Sequence, residues 1–253
     1  MKALIVVNVA GFLHFLWNDI SSLQQLGCEV SVAMNGKMPD GTDAVEIERL
    51  NKKGIKHYQI DFNSKNPLAK TNFIAYRQLR RVLKNQYDLI HCHTPIAGCL
   101  TRLGAKKYRK KGTVVLYTTH GFTFTDRSPK KTWLVYYTIE TFMSRWCDVI
   151  ITINHEDYRN AQKMHCKEVY IIPSVGVNNR QFQNVQIDRD SYRKQFGISN
   201  TDIMVLAVGE LSVRKNHQII IKALSLLPDK ERYVFVICGR ALADSTIRTC
   251  RET

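Results

Sequence analysis

Apolar residues run almost unbroken from Lys2 to Ala10, and Gly11 closes the segment. A strand covered on both faces reads this way, because neither face meets water, so the run predicts a buried parallel strand. Helical spacing follows over Phe15–Leu26 and stops at Gly27, a residue that readily takes the left-handed conformation past a helix end. The alternation then repeats. Strands are expected at Cys28–Met34, His57–Ile60, Asp88–His93, Val114–Thr119, Val149–Asn154 and Val169–Ile172. Helices are expected at Ala44–Lys53, Thr71–Asn85, Ile96–Lys107, Lys131–Arg145 and His155–Met164. Strands and helices in strict succession predict an α/β doubly wound parallel sheet.

Pro173 and the polar stretch up to Asp190 break the pattern, and a linker is expected over 174–188. Beyond it the alternation restarts: helix Ser191–Phe196, strand Ile203–Val208, helix Asn216–Leu227, strand Tyr233–Cys238 and a helix at Asp244–Glu252. The expected organisation is therefore a domain over 1–180 and a second, incomplete one over 190–253. Two strands with their helices cannot bury a core comparable to the first.

With 44% hydrophobic and 23% charged residues in 253, the composition is that of a soluble globular protein and excludes disorder, collagen and coiled coil. The net charge of +15 changes the picture more, because it points to an anionic partner. It is also uneven. Residues 62–147 hold 16 basic and 3 acidic side chains, a local +13, in clusters at Arg77/Arg80/Arg81/Lys84, Lys106/Lys107/Arg109/Lys110/Lys111 and Arg127/Lys130/Lys131. Such clusters are either a solvated face or a patch for an anionic surface, where each basic residue contributes on the order of 1 kcal/mol. Nucleic acid is not expected, since stacking aromatics are not clustered among the basic residues and no helix-turn-helix or finger spacing is found.

Seven cysteines without a C-x-x-C pair read as free thiols in a reducing compartment. The segment Met1–Ile20 resembles a signal peptide superficially, but Asn8, Gly11 and His14 interrupt it and no small-residue cleavage site follows. No apolar run reaches the roughly 18 residues of a membrane span. A cytoplasmic protein is expected.

Ligands of open α/β sheets bind beyond the carboxyl ends of the strands. Those ends carry Asn8–Gly11, His91-Cys-His93-Thr94-Pro95, Thr118-Thr-His120-Gly121-Phe122, Thr152-Ile-Asn154 and Val208-Gly209-Glu210. The pair His91/His93 puts two imidazoles on one side of a strand, but the sequence shows no carboxylate or third ligand beside them, so no metal is expected. His120 is the better functional candidate, because Gly121 after it lets a ligand approach the backbone. Gly11 turns from the first strand to the first helix, but G-x-G-x-x-G is absent, which argues against NAD. In the second unit Arg214 and Lys215 stand just before a helix, where amide groups and cations form a receptor for a diphosphate.

The motifs Asp88-Leu-Ile-His-Cys-His-Thr-Pro95, Thr119-His-Gly-Phe-Thr-Phe124, Ile151-Thr-Ile-Asn-His-Glu-Asp-Tyr158, Ile172-Pro-Ser-Val-Gly-Val-Asn178 and the run from Val208 to His217 together resemble family 4 retaining glycosyltransferases. More narrowly, they resemble the bacterial exopolysaccharide and capsule-assembly members. The resemblance spans nearly the whole chain. It implies a GT-B fold of two Rossmann-like domains, with an acceptor side (1–180), a nucleotide-sugar donor side (190–253) and a cleft between them. It implies no cofactor and no catalytic metal, since the nucleotide-sugar, of UDP type, is a substrate. The implied acceptor is a polyprenyl-diphosphate-linked saccharide, and the basic clusters of 62–147 would bring the protein to the anionic inner face of the plasma membrane.

Residue by residue, the resemblance places His120 near the reacting sugar, Gly11 in the first loop facing the substrates and Lys215 on the donor diphosphate. His93, Asn154 and Arg214 are the further substrate-binding candidates. Glu210 stands where the family often has an arginine, and Arg214 is the candidate replacement. The family's E-x7-E pair has no counterpart, because no two of the nine glutamates are eight apart, and Ala241 replaces a frequent second glycine after Gly239. The expectation is a truncated enzyme, or alternatively an inactive acceptor- or partner-binding module.

Overall fold

A computed structural model describes residues 1–239 except 39, 64, 65, 177, 178, 180–182 and 184. The chain divides into two compact units, Met1–Val177 and Asn178–Thr253. The expected helix at Asp244–Glu252 and Ala241 lie outside the described residues, as does part of the expected linker.

In the first unit seven strands, β1 (Lys2–Val9), β2 (Glu29–Asn35), β3 (Lys56–Gln59), β4 (Leu89–His93), β5 (Val114–Thr118), β6 (Val149–Thr152) and β7 (Glu168–Ile171), form one sheet in the order 3-2-1-4-5-6-7. Every neighbouring pair is parallel. The intervening helices are α1 (Trp17–Gln25), α2 (Val45–Lys52), α3 (Lys70–Val82), α4 (Pro95–Arg109), α5 (Lys130–Ser144) and α6 (His155–Ala161). This is the doubly wound α/β sheet expected from the alternation.

Successive side chains of a strand point to opposite faces, and β1 feeds two cores in that way. Leu4 and Val6 join Leu79, Ile90, Tyr117 and Phe124 on one face. Ala3, Ile5 and Val7 join Leu13, Leu16, Ile20, Val32 and Leu50 on the other. All five β1 residues are at most 1% exposed, which is why the segment shows no polar alternation. After β3 the sheet resumes on the other side of β1 with β4, so the carboxyl ends of β1 and β4 flank the reversal of strand order, where such folds take ligands.

The chain differs from expectation at the start of α1. Residues Ala10–Phe15 form a 3-10 turn, and the α-helix begins at Trp17. The apolar pattern closes the strand at Gly11 and starts the helix at Phe15, so the turn between them left no periodic signal of its own.

Helix α4 packs closely on β5, because a Cβ at Gly98 would stand 2.5 Å from the Tyr117 ring. One turn on, Arg102 is wholly buried. Its Nε–H donates to Gly98 O (3.0 Å), its Nη2–H donates to Glu140 Oε2 of α5 (2.7 Å), and its guanidinium lies 4.0 Å over the Tyr117 ring. Burial opposes that charge, and the Glu140 carboxylate with the Tyr117 ring more than offsets the opposition, so the guanidinium is held still more firmly protonated.

The second unit contains a helix at Arg189–Gln195, β8 (Ile203–Val208), a helix at His217–Ser225 and β9 (Tyr233–Cys238), with β8 and β9 parallel. Its buried side chains among the described residues are Arg193 and Ile198, while Leu206 and Val208 of β8 are 52% and 76% exposed. Free thiols are found at Cys28, Cys92, Cys99, Cys147, Cys166 and Cys238. Among the described residues no helix is long and apolar enough to cross a membrane.

Candidate functional site

Three imidazoles meet at the carboxyl ends of β4 and β5. His91 and His93 share one side of β4, with ring centroids 4.1 Å apart, and Cys92 points to the opposite face. His91 Nε2 and Thr118 Oγ1 share a hydrogen bond of 2.7 Å, and His93 Nδ1 and His120 Nε2 share one of 3.2 Å. The Phe12 ring stands edge-on to His120 at 4.7 Å, so the 3-10 turn walls the cluster on one side. Gly11 and Gly121 have open space where a Cβ would lie, and Gly121 takes φ +113°, a backbone that side chains rarely allow.

His93, a substrate-contact candidate by sequence, is 1% exposed and is hydrogen-bonded to His120, which is partly exposed. Burial, together with the neighbouring imidazoles, holds His93 well below the usual histidine range. Burial and the charge of His120 push His91 down to about 4, and burial lowers His120 as well. The cluster is therefore uncharged at neutral pH. A neutral imidazole at position 120 can accept a hydrogen bond from a hydroxyl or donate one to an oxygen.

The backbone after β4 is strained. Thr94 takes φ +65° and ψ +149°, a region left mostly to glycine and costing about 1–3 kcal/mol. Asn8 holds it there: the Asn8 N–H donates to Thr94 Oγ1 (3.2 Å), and Asn8 Oδ1 accepts the Ala97 N–H in the first turn of α4 (2.7 Å). Sequence reasoning noted Asn8 and Thr94 only as strand-end residues.

Asn154 caps α6. Its Oδ1 accepts the Asp157 N–H (2.8 Å) and its Nδ2–H donates to Asp157 Oδ2 (2.8 Å), which also accepts the Phe122 N–H (3.1 Å). Both ends of the side chain are thereby engaged, and the pair fixes the Gly121–Phe122 turn after His120. The N-x-x-D spacing at a helix start is the signal that could have shown this.

One expectation is overturned here. The sequence suggested no carboxylate near the H-x-H pair, yet α1 brings Asp19 to it. A ligand atom from each of Asp19, His91 and His93 lies within 4.8 Å of the others. Seventy-two positions separate Asp19 from His91, so spacing could not reveal the group. Burial raises the Asp19 carboxyl above its ordinary range.

In the second unit Lys215 lies across Gly209. A Cβ there would meet its Cε at 3.4 Å and its Nζ at 3.8 Å, so glycine at 209 leaves room for the lysine. Gly239 is tighter still, since its Cβ would fall 1.7 Å from Gly209 O. Arg214, the candidate replacement for a missing cation, is already engaged: its Nη2–H donates to Glu210 Oε1 at 3.0 Å. That bond, with one from Ser212, lowers the Glu210 carboxyl. Lys215 has no carboxylate within 4.0 Å among the described residues and precedes the helix His217–Ser225.

Comparison with known proteins identifies the family. The family model "Glycosyltransferase Family 4" matches residues 15–175, and "Glycosyl transferases group 1" matches 188–250. EpsD of Bacillus subtilis (strain 168), named as a glycosyltransferase candidate, is 35% identical over 94% of this chain and 60% of its own length. A UDP-Gal:alpha-D-GlcNAc-diphosphoundecaprenol alpha-1,3-galactosyltransferase of Escherichia coli is 31% identical over 62% of this chain and 41% of its own. The chain thus spans three fifths or less of these relatives. Among solved structures, an alpha,alpha-trehalose-phosphate synthase (UDP-forming) from Burkholderia vietnamiensis aligns with a TM-score of 0.60 at 13% identity, over 96% of this chain and 64% of that one. This likeness concerns the fold alone, and it is the GT-B class. On the match to more than half its length, the chain belongs to glycosyltransferase family 4.

Proposed function

We propose that this chain serves the transfer of a sugar, with retention, from a UDP-sugar to a polyprenyl-diphosphate-linked saccharide during synthesis of a cell-surface polysaccharide. Residues 1–180 take the acceptor and 190–253 part of the donor. The observation that carries this reading is His120: neutral, partly exposed, braced by His93 and Phe12, and set between two glycines that leave the backbone bare. Lys215, lying over Gly209 before a helix, supplies the cation for the donor diphosphate. The name of the E. coli relative, with its UDP-sugar and lipid diphosphate, supports the substrate classes.

The protein works at the cytoplasmic face of the membrane. Helix α3 turns outward Phe73 (64% exposed) and Ile74 (48%) beside Arg77, Arg80 and Arg81, a pairing of apolar and cationic groups suited to anionic lipid. Vesicle co-sedimentation tests this. Binding should require anionic lipid and fall on R80E/R81E, and binding indifferent to both would overturn it.

The site is tested with the full chain, UDP-sugars and an undecaprenyl-diphosphate-linked acceptor. Lys215→Ala should weaken UDP binding about 10–100-fold, the worth of a hydrogen bond to a charged group. His120→Ala should leave UDP binding unchanged and cut transfer at least ~100-fold. Failure of the chain to bind UDP, or binding indifferent to Lys215, overturns the reading. Binding without turnover instead selects the alternative of a module that holds substrates only.

A further inference from the structure

We propose that Asp19, His91 and His93 form a binding site for a divalent cation of the zinc class, which fastens α1 to β4 beneath the candidate site. Three observations converge on it. A ligand atom from each residue lies within 4.8 Å of the other two, and the group mixes two imidazoles with one carboxylate, a donor set suited to borderline first-row ions. Each imidazole already commits one nitrogen to an outer partner, His91 Nε2 to Thr118 Oγ1 and His93 Nδ1 to His120. Metal-bound histidines are oriented in this way, with the second nitrogen left for the ion. That second nitrogen of His93, Nε2, is buried and has no hydrogen-bond partner among the described residues, an orphan in a side chain only 1% exposed. Such atoms are rare in folded proteins and call for an explanation.

Zinc bonds of about 2.0–2.2 Å place tetrahedral ligands roughly 3.3 Å apart, so atoms up to 4.8 Å apart must close by as much as about 1.5 Å. Asp19 supplies the movement, since it stands in the first turn of α1 and is partly exposed, whereas the two imidazoles are fixed by their outer partners. A fourth position remains for water. The ion would tie α1, which follows the turn carrying Gly11 and Phe12, to the strand that carries His93, and so steady the two walls that brace His120.

The test uses the full chain, stripped with a chelator and titrated with Co2+ and Zn2+ in the absence of any sugar or nucleotide. One equivalent of Co2+ should bind, with d–d bands and no thiolate-to-cobalt charge transfer, and Zn2+ should displace it. Asp19→Asn should lower the affinity at least ~10-fold, and His93→Gln should abolish binding. Should His93→Gln fail to fold, Asp19→Asn decides the matter, because the residue is partly exposed and, among the described residues, accepts no hydrogen bond that its loss would orphan. Binding of neither ion, a thiolate charge-transfer band, or unchanged affinity in Asp19→Asn would each overturn the site.

Discussion

Replacing Glu140 by leucine should destabilise the first unit far more than any surface charge change. Arg102 is 0% exposed, and three groups stabilise its guanidinium: the Gly98 carbonyl, the Tyr117 ring and the Glu140 carboxylate at 2.7 Å. Nη1 has no partner even with the pair intact. Without Glu140 Nη2 loses its acceptor as well, and the charge is buried without a counter-ion. Breaking such a pair costs ~3–5 kcal/mol, a large fraction of the 5–15 kcal/mol that holds a typical domain together. At a urea slope near the upper part of the usual 1–3 kcal/mol/M range, the midpoint falls by about 1–2 M. All three tryptophans, Trp17, Trp133 and Trp146, lie in this unit, so fluorescence reports its unfolding alone. The double variant R102M/E140L removes both charges and fills the space with similar volume, so it should return to within about 1.5 kcal/mol of wild type. A loss below ~1 kcal/mol for E140L, or a double variant as unstable as the single, would refute the reasoning.

Gly98→Ala gains about 1 kcal/mol of helix propensity but drives a methyl into the buried Tyr117 ring; overpacking of ~1–3 kcal/mol wins, and thermal unfolding should show a lower Tm. Asp148 is held below the usual carboxylate range: burial raises it, but bonds from Arg109, the Val115 amide and Lys167 outweigh burial. Its contribution is therefore complete above the unfolded pKa near ~3.9 and lost as pH falls toward the folded value. Asp148→Asn should be less stable than wild type at pH 7, with the gap in urea midpoint closing as pH drops from 5 to 3; a constant gap would contradict this. Asn154→Ala should cost ~1 kcal/mol as a lost cap and quicken hydrogen exchange at the Phe122 amide, which Asp157 would no longer hold firmly. Unchanged protection there would show that the turn after His120 stands without Asn154.

The layered sheet was legible in the sequence because its strands are buried on both faces. The run Ala3–Val7 reads as a strand buried on both faces. Strand-end polar residues marked His120 for the same topological reason. Other features depend on distant partners and left no periodic trace. Arg102 sits in the basic third of the chain and counts toward its surplus, yet it is a core residue neutralised by Glu140. Asp19 reads as an ordinary acidic residue of a first helical turn until the fold lays α1 beside β4. The positive φ of Thr94 is imposed by Asn8, 86 positions earlier, and no local turn chemistry announces it.

The strand order also governs assembly in time. β1 is the first strand made, yet it lies in the interior of the sheet, and its second neighbour, β4, ends only at His93. At roughly 5–20 residues per second, an emerging chain carries β1 as a bare apolar edge for several seconds after β2 has paired with it. That edge, Ala3–Val7, holds no charge to deter another nascent chain. Ribosome-stalled chains ending before residue 89 should therefore be protease-sensitive and chaperone-bound, and those extending past β5 should become resistant in a single step.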